Sequence, residues 1–211
     1  FEEDEQEDGL DAYGEQPATI STGLIELGGG GIPHFAHPQA NRYLAARQLV
    51  SEQRYMLLHQ LDEHERAEVA LLIATMLDDP APLYKALWNG GKPRIADLLT
   101  LGRCLRERAP AEPAWALRIA GALASLANEG PPAMRAHALR QLHACAPALN
   151  ASLEAIAGAM APFEQFLPRL FAALPPDLAV SCMLRLAYHP RVAEPFAWQL
   201  ADRVIEFASA L

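Results

Sequence analysis

Histidines and cysteines are the side chains of this sequence best suited to metal binding or nucleophilic work. There are seven of the first and three of the second in 211 residues. His34 and His37 form a His-x-x-His pair, but they stand in a Gly/Pro-rich segment with no cysteine nearby and no third ligand. A closed zinc site takes four ligands, so the pair reads as linker. His59 and His64 are five apart, which puts them on different faces of a helix. Neither His-Glu-x-x-His nor a paired Glu-x-x-His occurs, so the ligand sets of zincins and di-iron bundles are missing. Cys104, Cys145 and Cys182 are odd in number, far apart and without a Cys-x-x-Cys. That spacing argues against a disulfide framework or zinc site and fits a reducing compartment. Arg103 and Arg106 would activate Cys104 only if they shared its face. His143, two residues before Cys145, points elsewhere on a helix. The thiols are therefore assigned to packing, and no catalytic residue, metal ligand or cofactor site is assigned.

Six further segments have the right residue types for chemistry or binding. Asp62-Glu63-His64-Glu65 offers acid and base, but it also fits an acidic first turn with a capping box from Asp62 to Glu65. Gly90-Gly91-Lys92 precedes a helix start, where amides bind anions; the full phosphate-loop spacing is missing, so Asn89-Gly90-Gly91 reads as a helix C-cap. Gly28–Gly31 lacks a following Lys-Ser/Thr as well. Asn150-Ala151-Ser152 matches a glycosylation acceptor. Phe163, Phe166 and Phe171 crowd one segment with Leu167, Leu170 and Leu174, which suits a core or a groove for a partner's helix or peptide. Ile20, Leu24, Ile25 and Leu27 form a second apolar patch ahead of the glycines. These two clusters supply the candidate partner-binding residues: Ile20, Leu24, Ile25, Leu27, Phe163, Phe166 and Phe171.

The elements that must position these residues are helices. The chain holds 40 Ala and 32 Leu against 5 Val and 8 Ile, a choice that favours helix over strand. Prolines cut the pattern, and since Pro suits a first turn and stops a helix elsewhere, helices are expected at 39–61, 63–78, 82–89, 93–108, 113–128, 132–145, 150–161, 168–174, 176–188 and 194–210. Apolar stripes such as Val69, Ile73, Met76 and Leu77, or Trp115, Ile119, Leu123 and Leu126, give each helix one buried face. Short loops join antiparallel neighbours. The expected fold is all-α: about ten helices in antiparallel hairpins, arranged as an irregular stack or orthogonal bundle. Residues 1–36 are expected to be a flexible acidic and Gly-rich tail, and 37–211 one helical domain.

Charge narrows the function. The formal net charge is −9, and residues 1–16 account for −8 of it with eight acids and no base, leaving −1 for the rest. A near-neutral body has no cationic surplus to neutralise phosphates, so nucleic-acid binding is not expected. No run of 18 apolar residues offers a membrane span. The first residue is Phe, which reads as a processed or trimmed start. Basic residues are 15 Arg and 2 Lys, a bias that fits a GC-rich genome or, alternatively, a bacterial effector that avoids lysine modification inside a host cell. The expected function is a non-enzymatic interaction module, an adaptor, chaperone or regulator linked to bacterial secretion, cytoplasmic or delivered into a host cell, with another protein as its partner. The alternative from a different class is a small helical enzyme whose site is assembled from distant residues.

Overall fold

The computed structural model describes residues 25–27, 33–35, 37–156, 167–190, 192 and 194–209. From residue 37 onward every regular element among them is a helix: α1 (Pro38–Glu52), a 3-10 helix (Tyr55–Gln60), α2 (Glu63–Met76), α3 (Ala81–Trp88), α4 (Ile95–Glu107), α5 (Pro113–Glu129), α6 (Pro132–Ile156), α7 (Leu167–Ala173), α8 (Pro176–Ala187) and α9 (Glu194–Ser209). The all-α expectation therefore holds, with nine α-helices and one 3-10 helix described. No described helix is long and apolar enough to cross a membrane.

Contacts divide the chain into residues 1–41 and residues 42–211. In the first unit, β1 (Ile25–Leu27) and β2 (Pro33–Phe35) pair antiparallel, with Ile25 opposite Phe35, Glu26 opposite His34 and Leu27 opposite Pro33. This corrects the expected unfolded tail for six residues. Three alternating positions, Ile25-Glu26-Leu27, are too few for a period-2 pattern to register. Pro33 is tolerated as the first residue of its strand. Ile20, Leu24, the acidic run and Gly28–Gly31 lie outside the described residues. His37 serves the start of α1: its Nδ1 accepts from the Gln39 N–H at 3.2 Å.

In the second unit the expected 39–61 helix is two elements. Gln53 takes φ 54°, and the Arg54 N–H donates to the Leu49 carbonyl at 3.1 Å, so the chain leaves α1 and re-enters as the 3-10 helix. The reverse correction applies to 132–145 and 150–161, which join as the single helix α6 through Pro147. Pro147 removes one backbone donor, yet Leu142, Cys145, Leu149 and Leu153 form one buried stripe on both sides of it. Continuous packing outweighs the local penalty. The Asn150 sequon falls within this helix with Asn150 buried, which removes it as a glycosylation acceptor. At α2 the Asp62 Oδ1 accepts from the Glu65 N–H at 2.9 Å, so the acidic tetrad is a helix start.

One core of Leu, Ala, Ile and aromatic side chains runs through these helices. α4 packs against α2, α3, α5 and α6, while α6 packs against α4, α5 and α8. Gly102 allows the close approach at the centre: a Cβ there would lie 3.1 Å from Leu123 Cδ1 of α5 and 3.3 Å from Gln141 Cβ of α6. α7 lies on α5 and α8, and α9 packs on α8. Phe171 is only 4% exposed and belongs to this core with Leu167, Leu170 and Leu174. Of the two readings of this segment, core or partner groove, Phe171 takes the core position: an amphipathic turn in a helical stack turns its largest apolar group inward.

Candidate functional site

Of the depressions that open around the C-terminal end of α3, three border Trp88 or Arg118. α5 presents Trp115, Arg118, Ala122 and Ser125 along one stripe, spaced three to four residues apart as a single helix face requires. Trp88, the last residue of α3, stands beside it. The two indoles meet edge to face, with centroids 6.1 Å apart and planes at 68°. The exposed Arg118 guanidinium lies over both rings, 5.1 Å from the Trp115 centroid and 5.6 Å from that of Trp88. Such stacking attracts a cation to the ring quadrupole and fixes its plane. Among the described residues no carboxylate pairs with Arg118, so its charge and its donors face solvent.

A groove of about 280 Å³ continues from Trp88 and Arg118 along Gly121, Ala122 and Ser125 to Leu170 and Ala173 of α7. Asn128 closes the α5–α7 seam by donating from Nδ2 to the Ala173 carbonyl at 2.8 Å. On the other side of Arg118, Lys85, Glu112, Ala114 and Trp115 line a second depression of about 290 Å³. The third, also about 290 Å³, shares Trp88 and is lined by His59, Lys92, Arg94 and Asp97. Both lysines of the chain therefore border this surface.

Local folding places each of these groups. Asn89 at φ 41° and Gly90 at φ 92° end α3 in the left-handed region, the cap anticipated from Asn89-Gly90-Gly91. Trp88 Nε1 donates to the Gly91 carbonyl at 3.2 Å and pins the loop. Pro93 and Arg94 then precede α4, which starts at Ile95 rather than 93. In the first turn of α4, Asp97 is buried, accepts from Arg94 Nε at 2.8 Å and forms an ion pair with Arg66 Nε of α2 at 3.2 Å. Arg94 Nη2 meets His59 Nδ1 at 3.2 Å, while His59 Nε2 contacts the Ala86 carbonyl at 3.0 Å. A carbonyl only accepts, so Nε2 carries the proton and Nδ1 accepts from Arg94. With both His59 nitrogens and both Asp97 oxygens engaged, neither group is a free base.

The chain matches no protein-family model, no curated protein and no solved structure.

The cysteines lie elsewhere. Burial pushes Cys104, Cys145 and Cys182 each up to about 12, overriding the lowering effect of nearby arginines. Cys145 Sγ donates to the Gly102 carbonyl at 3.0 Å and Cys182 Sγ to Asn150 Oδ1 at 3.2 Å, so these thiols pack and cap. Among the described residues, no three His, Cys, Asp or Glu side chains gather as a metal site. Of the sequence-derived partner candidates, Ile20, Leu24, Phe163 and Phe166 lie outside the described residues. Ile25 and Leu27 form β1. The most exposed large hydrophobics described are Tyr188, Trp198 and Ile205, at 85%, 65% and 63%. Trp198 and Ile205 share one face of α9, but Asp202, Arg203 and Glu206 around them mix both signs and carry no charge signature. The sequence singles out none of Trp88, Lys85 or Arg118. Its one signal is the i, i+3 spacing of Trp115 and Arg118.

Proposed function

We propose that this chain is a non-enzymatic interaction module that takes a short acidic, aromatic-bearing segment of a partner protein on the groove of α3, α5 and α7. The observation that carries the reading is the exposed Arg118 guanidinium, held between Trp88 and Trp115 with no carboxylate partner among the described residues. A guanidinium already ordered by stacking loses little entropy when it forms a bidentate pair with a carboxylate. Trp and Arg are also the residues that dominate interface energetics. Lys85 adds a second cation to the rim beside Glu112, and Ala122, Leu170 and Ala173 supply an apolar floor. The near-neutral body lacks the cationic surplus that a nucleic acid would need.

Panning the full chain against a random peptide display library tests this. The enriched peptides should combine Asp or Glu with an aromatic residue, and they should be lost when Arg118→Glu is used as the bait. Enriched peptides without acidic residues, or retained by Arg118→Glu, would contradict the reading.

A further inference from the structure

We infer that the groove of α3, α5 and α7 has an internal competitor: the chain's own acidic run, residues 1–16, is a ligand for it and masks it until a partner displaces the run. This rests on the acidic-peptide reading of the groove. Charge selects the run. It carries eight acids and no base. The three depressions are lined by Lys85, Lys92 and Arg118 against Glu112, beside the paired Arg94 and Asp97. Opposite charges arranged in this way attract within a Debye length. Side-chain pattern narrows the contact to one stretch. Tyr13 has Asp11 two residues before it and Glu15 two residues after, and no other aromatic of the chain has an acid within two residues on both sides. Bound in extended form, Asp11, Tyr13 and Glu15 would share one side of the backbone. A carboxylate then meets the exposed Arg118 guanidinium, and the phenol ring meets the floor of Ala122, Leu170 and Ala173. At about 280 Å³ the groove is small for an organic ligand and suits a single side chain.

Covalent attachment supplies the strength. The 15 residues of α1 rise about 22 Å, and Gln53, which follows α1, lines a depression that Lys85 also borders. Residues 17–24 and 36–37 extend to roughly 33 Å, so the run has the reach to return along α1 with β1 and β2 paired. A ligand tethered at this length has an effective concentration on the order of mM. Modest intrinsic affinity therefore keeps the groove occupied, and a partner segment has to bind more tightly than the run.

The test is paramagnetic relaxation in the full chain, with a nitroxide attached at Ala12→Cys. The three native thiols are buried and stay unlabelled. The chain has three tryptophans: Trp88 and Trp115 border the groove, and Trp198 on α9 is the internal reference. The indole N–H signals of Trp88 and Trp115 should broaden relative to that of Trp198, and they should recover with added Arg118→Glu or with high salt. The broadening should not change on about tenfold dilution, because the contact is within one chain. Equal effects on all three indoles, no effect at Trp88 and Trp115, or broadening lost on dilution, which would assign the run to a second copy, would each overturn the proposal. A second arm combines Asp11→Asn, Tyr13→Ala and Glu15→Gln in the full chain. This variant should bind a panned acidic peptide about threefold or more tightly than wild type, since the groove is no longer part-occupied. Equal affinity would overturn the masking and leave the peptide reading standing. If no acidic peptide is enriched, the peptide reading fails, and the indole signals, which need no partner, still decide whether the run occupies the groove.

Discussion

Asp97 shows most sharply how one residue is held by its surroundings. Its side chain is 3% exposed and that of Arg66 7%, whereas that of Arg94 is 59% exposed. Removing the carboxylate strands a buried guanidinium. Asp97→Asn should therefore lower stability by about 3–5 kcal/mol, while Arg94→Ala, whose charge is already partly solvated, should cost about 1 kcal/mol or less. Urea denaturation of the two variants checks the contrast, and equal losses would contradict it. The buried thiols give a pH signature. Each is pushed from 9.0 to about 12, so the folded state holds the proton more tightly than the unfolded one. Stability from this source is intact below about pH 8.5 and is lost as pH rises towards 12. Tyr84 acts in the same direction, because burial raises its phenol and its hydroxyl donates to the Arg108 carbonyl at 2.6 Å. The urea midpoint should stay level to about pH 8.5 and then fall. A midpoint that rises between about pH 9 and 11 would show that the thiols are not buried in this way.

Among the elements, α6 offers the clearest test. Pro147 is exposed and interior to the helix, so it contributes no buried packing to offset the lost donor. Pro147→Ala restores an N–H for the carbonyl four residues earlier and should stabilise the chain by about 1–3 kcal/mol, read as a higher Tm. A lower Tm would mean that the proline shapes the helix in a way the packing needs. This position also marks the limit of what local sequence rules convey. The caps at Asp62 and at Asn89-Gly90 are legible because one or two residues decide them. Pro147 and Gln53 are not, because tertiary burial carries α6 through a proline and ends α1 at a residue with no glycine or proline signal. The candidate site is less legible still. Trp88 ends one helix and Arg118 sits on another, and only the α3–α5 arrangement makes a stacked cation of them.

At the level of the whole molecule, most helices from α2 to α9 that follow one another in sequence pack as neighbours, and the composition alone foretells the all-α class. What it does not foretell is where the charge falls. The chain is acidic overall, with −9 in total, yet Lys85, Lys92, Arg94 and Arg118 gather around the end of α3. An acidic partner segment attracted to that patch should bind less tightly as salt rises, since exposed charge is screened over about 8–10 Å in physiological salt. The most direct test of the docking surface is fluorescence anisotropy of a labelled acidic peptide selected on the full chain. It would be titrated at low and high salt with wild type, Arg118→Ala and Arg203→Ala, the last being a cation on α9 paired with Glu206 at 2.7 Å. Arg118→Ala should weaken binding about tenfold or more and flatten its salt dependence, while Arg203→Ala should match wild type. Affinity and salt dependence unchanged by Arg118→Ala would contradict the account.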